Sequence, residues 1–171
     1  MKSFHIFYVA ALAVSLAGCA SSVSEPTAVQ ALTTEQKAAL HLTDVTADAD
    51  RGVEVSDGDL GLICQKVRAE IETQSPGIFT DHANAGSAVK LNIHISKFER
   101  GNAFARMVMM GLGQIRIEAD VDLIDRSGHK MAEYKVAKDF ALGGIAGGTT
   151  SIEDVEEGFA KSVAEIVKAK A

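Results

Sequence analysis

The chain has 171 residues, two cysteines and a formal net charge of −6. This length fits one domain with a hydrophobic core and a tether, so one domain is expected. The negative charge argues against nucleic acid as a partner, because phosphate backbones select basic surfaces.

The N-terminal segment combines one cation, an apolar run and two small residues before a cysteine. Lys2 precedes the apolar residues 4–16, and Ala17 and Gly18 lead to Cys19. The run is shorter than the roughly 20 apolar residues that cross a bilayer. The pattern therefore predicts a secretory signal peptide that is cleaved.

Residues 16–19, Leu-Ala-Gly-Cys, resemble the lipobox of bacterial lipoproteins. The resemblance implies cleavage after residue 18 and several acyl chains on Cys19, which together make membrane attachment durable. An ordinary signal peptide with a chance cysteine, or an N-terminal helix that anchors the chain, is the alternative. Because Ala20 and Ser21 follow the cysteine instead of an aspartate, the resemblance implies the outer membrane, on its periplasmic face.

These features divide the chain into a signal peptide (residues 1–18), a lipidated cysteine with a flexible tether (19–39) and a periplasmic α/β domain (40–171). The tether is predicted from its serine, threonine, alanine and glutamine content without a dense apolar pattern, although a short helix within 34–40 fits it. Lipidation of Cys19 leaves Cys64 without a disulfide partner in the chain. Cys64 is predicted to be a small buried hydrophobe.

Three segments of the domain alternate apolar and polar side chains with the period of two that is typical of strands. A turn at residues 125–128, Asp-Arg-Ser-Gly, joins the last two into a hairpin. A weaker pattern over residues 42–47 predicts one more short strand, earlier in the chain. The three alternating segments are residues 89–96, 115–123 and 132–136.

Two segments place apolar residues at helical spacing behind an N-capping serine. Ser56 begins the first, which is predicted to run to Gln74 because Pro76 disfavours helix beyond it. Ser151 begins the second, which is predicted to run to Val167. The order of strand, helix, three strands and helix predicts an α+β two-layer sandwich. It has an antiparallel or mixed sheet of about four strands, with two helices packed on one face.

An apolar, methionine-rich segment flanked by glycines separates the second predicted strand from the third. With the turn at 125–128 and two glycine pairs before the last helix, the pattern over residues 40–167 resembles the bacterial lipoproteins of domain-of-unknown-function family 4410. The resemblance implies an exported envelope lipoprotein and no established reaction. The candidate site residues are Gly101, Asn102, Arg106, Gly111, Gly113, Gly143 and Gly147.

Each of the two glycine-rich segments has two interpretations. Residues 98–113 form either a bent connector packed over the sheet edge or a loop that touches a membrane or a partner, since methionine adapts to varied apolar surfaces. Arg106 is long enough to reach a carboxylate or a lipid phosphate. Residues 143–148 form either a flexible loop that leads into the last helix or a contact in an oligomer, the latter including a hairpin that inserts only in an assembled ring.

No metal site, cofactor site or catalytic constellation is predicted. Glu118, Asp120 and Asp122 fall on one strand face, which indicates a solvated surface and not the loop geometry that calcium prefers. No Gly-Lys-Ser/Thr motif and no nucleophile elbow are present. The four histidines that follow the predicted signal peptide stand without the close spacing of a zinc site; they are His41, His82, His94 and His129.

The pattern as a whole favours a non-enzymatic lipoprotein whose domain binds protein or envelope components through its polar sheet face and glycine-rich loops. Its predicted partners are the membrane, through the lipid on Cys19, and another envelope protein, with no nucleic acid. The alternative is a subunit of an oligomeric envelope assembly or secretion complex, and the oligomeric state stays open. An enzyme with a dispersed active site is the third class.

Overall fold

The computed structural model describes residues 23–80, 88–109, 112–141 and 144–168. The predicted signal peptide, Cys19, His82, Gly111 and Gly143 lie outside the described residues. In chain order the elements are β1 (Thr27–Gln30), α1 (Thr34–Ala38), β2 (His41–Ala49), α2 (Asp57–Gln74), β3 (Ala88–Glu99), α3 (Ala103–Val108), β4 (Ile115–Asp125), β5 (Lys130–Phe140), α4 (Gly144–Thr149) and α5 (Ile152–Val167).

The five described strands form one mixed sheet in the order β1-β5-β4-β3-β2. β2 and β3 are parallel and are connected through α2, whereas the other neighbouring pairs are antiparallel. The predicted α+β two-layer architecture is confirmed. The sheet gains a fifth strand, β1, from the segment that was predicted to be a tether.

The hydrophobic core lies between one face of this sheet and the two long helices. The register aligns Ile93 with Val121 and Val121 with Tyr134, so that inward side chains of three strands form a continuous layer. Each large apolar side chain buried there contributes about 1.5–3 kcal/mol. α2 and α5 cover this layer and contact each other; their buried apolar residues include Ile63, Val67, Ile71, Val155, Phe159 and Val163.

Both long helices begin at the predicted serines. The Ser56 backbone N–H donates to Asp59 Oδ2 over 3.2 Å, and the Asp59 N–H donates back to Ser56 Oγ over 3.2 Å. The Ser151 N–H donates to Asp154 Oδ2 over 2.8 Å. These caps satisfy backbone donors that a helix start leaves unpaired, and the acidic groups complement the helix dipole.

Residues 24–39 belong to the folded domain, which differs from the predicted tether. β1 pairs with β5, and the Leu32 N–H donates to Tyr134 Oη over 2.9 Å. The Ser24 N–H donates to Ser162 Oγ of α5 over 2.8 Å. All four side chains of β1 are exposed, so its residues carry no apolar alternation by which the strand could be recognised.

A nearly buried ion pair joins the two long helices across their contact. Lys66 Nζ of α2 lies 2.6 Å from Glu156 Oε2 of α5 and donates to the Glu153 carbonyl over 3.1 Å. The Glu156 side chain is almost fully buried. The pairing compensates a carboxylate that would otherwise be desolvated without a partner.

Candidate functional site

The segment between β3 and β4 is closed into a compact loop by backbone contacts. The Asn102 N–H donates to the Gly113 carbonyl over 3.0 Å, which brings the two ends of the segment together. Asn102 Oδ1 accepts the Ala105 N–H over 2.9 Å and thereby caps α3. At the start of the loop, Arg100 forms an ion pair with Asp59 of α2, and its hydrogen bond holds the pKa of Asp59 below the usual value.

Gly101 and Gly113 are required by both conformation and space. Their φ angles are +69° and +68°, in the region that side chains with a Cβ rarely adopt. A Cβ on Gly101 would overlap Arg106 Nη1 and lie 2.5 Å from the Gly113 carbonyl oxygen. A Cβ on Gly113 would lie 2.5 Å from the Asn102 carbonyl oxygen. The loop can close this tightly only around two glycines.

Arg106 fastens the loop to the rest of the domain. Its side chain is 3% exposed, and Nη1 donates to the Gly113 carbonyl over 2.6 Å while Nη2 donates to the Thr150 carbonyl over 2.8 Å. Burial lowers the pKa of the guanidinium. The sequence suggested a carboxylate or a lipid phosphate as the partner of Arg106. In the structure these two bonds go to backbone carbonyls instead. Arg106 links the entry of β4 to the residue before the Ser151 cap of α5.

α4 differs from the flexible loop that its glycines predict. Residues 144–149 are helical and pack against α3, and Thr149 Oγ1 donates to the Ile145 carbonyl over 3.1 Å. Gly147, a candidate from the sequence, lies inside this helix. Each glycine costs a helix about 1 kcal/mol relative to alanine, so contact with α3 overrides the local preference.

The outer surface of α3 and α4 carries large apolar side chains that stay exposed. Phe104 is 71% exposed and Ile145 is 84% exposed. In residues 103–109, 112–114 and 144–149 the one charged residue is Arg106, which is buried. We call this apolar, uncharged area the α3–α4 surface; its members are Phe104, Met107, Val108, Met109, Leu112 and Ile145.

One buried cation at the same end of the sheet escaped the sequence analysis. Lys138 is 5% exposed and faces the core from β5, two residues before Phe140, which pairs with Ile115. The predicted strand ended at Val136, whereas β5 continues to Phe140. Extending the alternation by one step would have placed Lys138 on the inner face.

The polar face of the sheet is lined by ion pairs. Lys135 Nζ lies 2.8 Å from Asp120 Oδ1, and Lys130 Nζ lies 2.8 Å from Asp122 Oδ2. Among the described residues, no group of three or more histidine, cysteine or acidic side chains is arranged to hold a metal ion. Cys64 is half-buried, and burial raises the pKa of its thiol, which disfavours the reactive thiolate.

His94 lies on the polar face between two carboxylates. It forms an ion pair with Asp48 through Nδ1, and Nε2 lies 2.9 Å from Asp50 Oδ1. The hydrogen bond to Asp48, followed by that to Asp50, raises the pKa of His94 above its usual value of 6.5. The parallel pairing of β2 with β3 produces this cluster, because it sets Asp48 beside His94.

Replacing His94 with glutamine is expected to destabilise the domain more at pH 6 than at pH 9. Because the folded pKa is raised, the ionic contribution is present below the unfolded pKa and is lost as the pH rises through the folded pKa. The three groups are exposed, so the loss at pH 6 is at most about 1 kcal/mol. Urea unfolding of both proteins at both pH values measures it.

The carboxylates supply the control for this prediction. In an Asp48→Asn/Asp50→Asn background, His94→Gln should have an effect that no longer depends on pH. An equal loss of stability at pH 6 and pH 9 in the unaltered background would contradict the assignment.

Among the described residues, no helix is both long enough and apolar enough to cross a membrane. The fold and the two faces define the class: an α+β domain with one mixed sheet, a polar outer sheet face and an apolar surface at one end. The chain belongs to the family described as Domain of unknown function (DUF4410), whose model matches residues 54–144. The match confirms the family resemblance that the sequence indicated.

Solved structures are similar to this chain at low sequence identity, and one with a TM-score above 0.5 shares its fold. A variant of the PelC dodecamer from Paraburkholderia phytofirmans is 13% identical, with a TM-score of 0.55, and the alignment covers 86% of this chain and 97% of that one. A second PelC dodecamer from the same organism is 14% identical over 84% and 97%, with a TM-score of 0.48. A structure described as a putative lipoprotein from Caulobacter crescentus CB15 is 14% identical over 79% and 88%, with a TM-score of 0.41. The search of curated proteins found no match.

Proposed function

We propose that this chain is a lipid-anchored protein of the bacterial outer membrane, held at the periplasmic face by Cys19, and that it acts by binding and not by catalysis. The α3–α4 surface carries the proposal. Contiguous exposed apolar patches on soluble domains mark interaction sites, because leaving them in water is unfavourable. Here the patch stands on a segment that Arg106 clamps in place.

The anchor is supported by the order of features before Cys19. One cation, a short apolar run, two small residues and a cysteine precede a domain that has its own hydrophobic core. Such a domain needs no further apolar segment to fold, so the N-terminal features are explained by export and lipidation.

Binding is favoured over catalysis because two buried charged groups, Arg106 and Glu156, are committed to structural contacts. Arg106 donates to two backbone carbonyls, and Glu156 pairs with Lys66 between the helices. Cys64 has a raised pKa, which disfavours a nucleophilic role. A catalytic site would instead leave such groups directed toward a substrate.

Replacing Cys19 with serine is expected to remove the lipid and release the mature protein from washed membranes. Mass spectrometry of the N-terminal peptide of the unaltered protein should show the mass of the acyl chains. Cys64→Ser is the matched control, since it also removes one thiol and should keep both the lipid and the membrane fraction. An unmodified Cys19 in the unaltered mature protein would refute the anchor.

A second candidate function is that of a subunit in an oligomeric envelope assembly. It is supported by the fold shared with PelC, which is described as a dodecamer and is covered over 97% of its length. Light scattering on the lipidated protein in detergent tests this candidate. A ring subunit gives a mass several times that of the protomer, whereas a monomer at high concentration would count against it.

A further inference from the structure

We infer that the α3–α4 surface docks on the same lipid bilayer that holds Cys19, with Phe104, Val108 and Ile145 inserted at the level of the headgroups. The inference rests on the proposed lipid anchor, and it identifies the bilayer as the partner that covers the α3–α4 surface. The domain would then lie against the membrane in one orientation, whereas a domain on a free tether would rotate.

The length of chain before the first packed residue restricts the domain to the vicinity of the bilayer. The Ser24 N–H is hydrogen-bonded to Ser162 of α5, so only residues 20–23 separate the domain from Cys19. Five Cα-to-Cα steps reach at most about 18 Å. The tether predicted from the sequence would have been several times longer.

This reach is comparable to the distance from Ser162 to the N-terminal end of α5. Ser162 lies ten residues after Ile152, which corresponds to about 15 Å along α5. Arg106 holds α3 against Thr150, directly before that end of the helix. A segment of this reach that runs along α5 therefore brings Cys19 to the end of the domain that carries the α3–α4 surface.

The composition of the surface fits lipid better than it fits a charged partner. The chain carries 23 acidic and 17 basic residues, yet residues 103–109, 112–114 and 144–149 expose no charge. Phenylalanine, methionine and leucine side chains gain free energy when they leave water for the interfacial region. The excess of acidic groups elsewhere favours a bilayer of zwitterionic lipid over an anionic one.

The hydrogen bonds that close the segment between β3 and β4 order the α3–α4 surface before it binds. The Asn102–Gly113 backbone bond and the two Arg106 bonds order the segment in the free protein. Binding then has little conformational entropy left to remove, which raises affinity for a given apolar area.

Tryptophan fluorescence tests the inference directly, because the chain contains no tryptophan. The lipidated Phe104→Trp protein is reconstituted in phosphatidylethanolamine–phosphatidylcholine vesicles with and without brominated acyl chains. We expect its emission to shift to shorter wavelength on reconstitution and to be strongly quenched by the brominated lipid. Phe104 is largely exposed, so the substitution leaves the core unchanged.

Arg126→Trp is the matched control at the opposite end of the sheet. The first and last residues of β4 are roughly 33 Å apart. Arg126 directly follows the last one, and the Arg126 side chain is exposed. Its emission should be unchanged by the brominated lipid. Equal quenching of the two tryptophans, or no quenching at position 104, would overturn the docking inference.

The remaining outcomes separate docking from anchoring and from self-association. The acyl mass on Cys19 is measured on the same samples, so a missing lipid refutes the anchor, whereas an intact lipid without quenching refutes docking alone. A blue shift of Phe104→Trp that grows with protein concentration in lipid-free detergent, without quenching in vesicles, would assign the surface to a second copy of the chain and overturn the inference.

Discussion

Replacing Arg106 with alanine is expected to lower the free energy of unfolding by about 3–5 kcal/mol. The substitution removes two charge-assisted hydrogen bonds and leaves the carbonyls of Gly113 and Thr150 without these donors. It also leaves a cavity, since the side chain is almost fully buried. Urea unfolding followed by circular dichroism measures the loss.

Two further variants show whether the fork of the guanidinium is responsible. Arg106→Lys keeps the positive charge, but one ammonium cannot reproduce two parallel bonds, so its loss should be intermediate. Arg126→Ala, in the exposed turn, should change stability by less than about 0.5 kcal/mol. If Arg106→Ala were as mild as Arg126→Ala, the clamp between β4 and α5 would not be a stabilising feature.

Replacing Gly113 with alanine is expected to cost about 2–4 kcal/mol, and Gly101→Ala a similar amount. Left-handed backbone strain accounts for about 1–2 kcal/mol of it. The rest comes from steric overlap, because the new methyl would lie 2.5 Å from the Asn102 carbonyl oxygen, a contact that the neighbours can relieve only by moving. Thermal or urea unfolding gives the difference.

Gly128 isolates the steric part of this prediction. It also has a positive φ, +84°, but nothing lies within 4 Å of the Cβ that alanine would add. Gly128→Ala should therefore cost only the backbone strain, about 1–2 kcal/mol. Gly61→Ala, inside α2 with open space around it, should be neutral or stabilising by up to about 1 kcal/mol. Equal losses at positions 113 and 128 would contradict the close approach described for the loop.

The clamp and the glycines bear on function through the α3–α4 surface. If they order that surface, Arg106→Lys should weaken the quenching of Phe104→Trp by brominated lipid while the Cys19 lipid stays in place. A purely structural clamp on the core would lower stability and leave the contact of Phe104 with lipid unchanged.

The predictions that came true depend on contacts between residues close in sequence. The Ser56 and Ser151 caps, the helical spacing behind them and the alternation in residues 89–96 and 115–123 each encode local structure. The alternation in the strands also indicated which face of the sheet is apolar, and α2 and α5 cover that face. The family resemblance likewise followed from the glycines, Asn102 and Arg106.

The differences arise where a distant partner overrides a local preference. β1 has no apolar face and exists because β5 offers an open edge, and Leu32 is buried because Tyr134 lies beside it. The glycines of α4 favour a loop, but contact with α3 stabilises a helix at this position. The sequence shows that Arg106 is a cation, but it does not show the two backbone carbonyls to which the guanidinium donates.

By itself, the sequence determined the two long helices, the three alternating strands, the family and the glycine-bearing loop, because these depend on composition and on periodicity over a few residues. The tertiary structure alone decided that residues 24–39 belong to the domain, that Arg106 is buried and that the apolar side chains of α3 and α4 stay exposed. Burial and pairing depend on which distant segments meet, and that information is not contained in any local pattern.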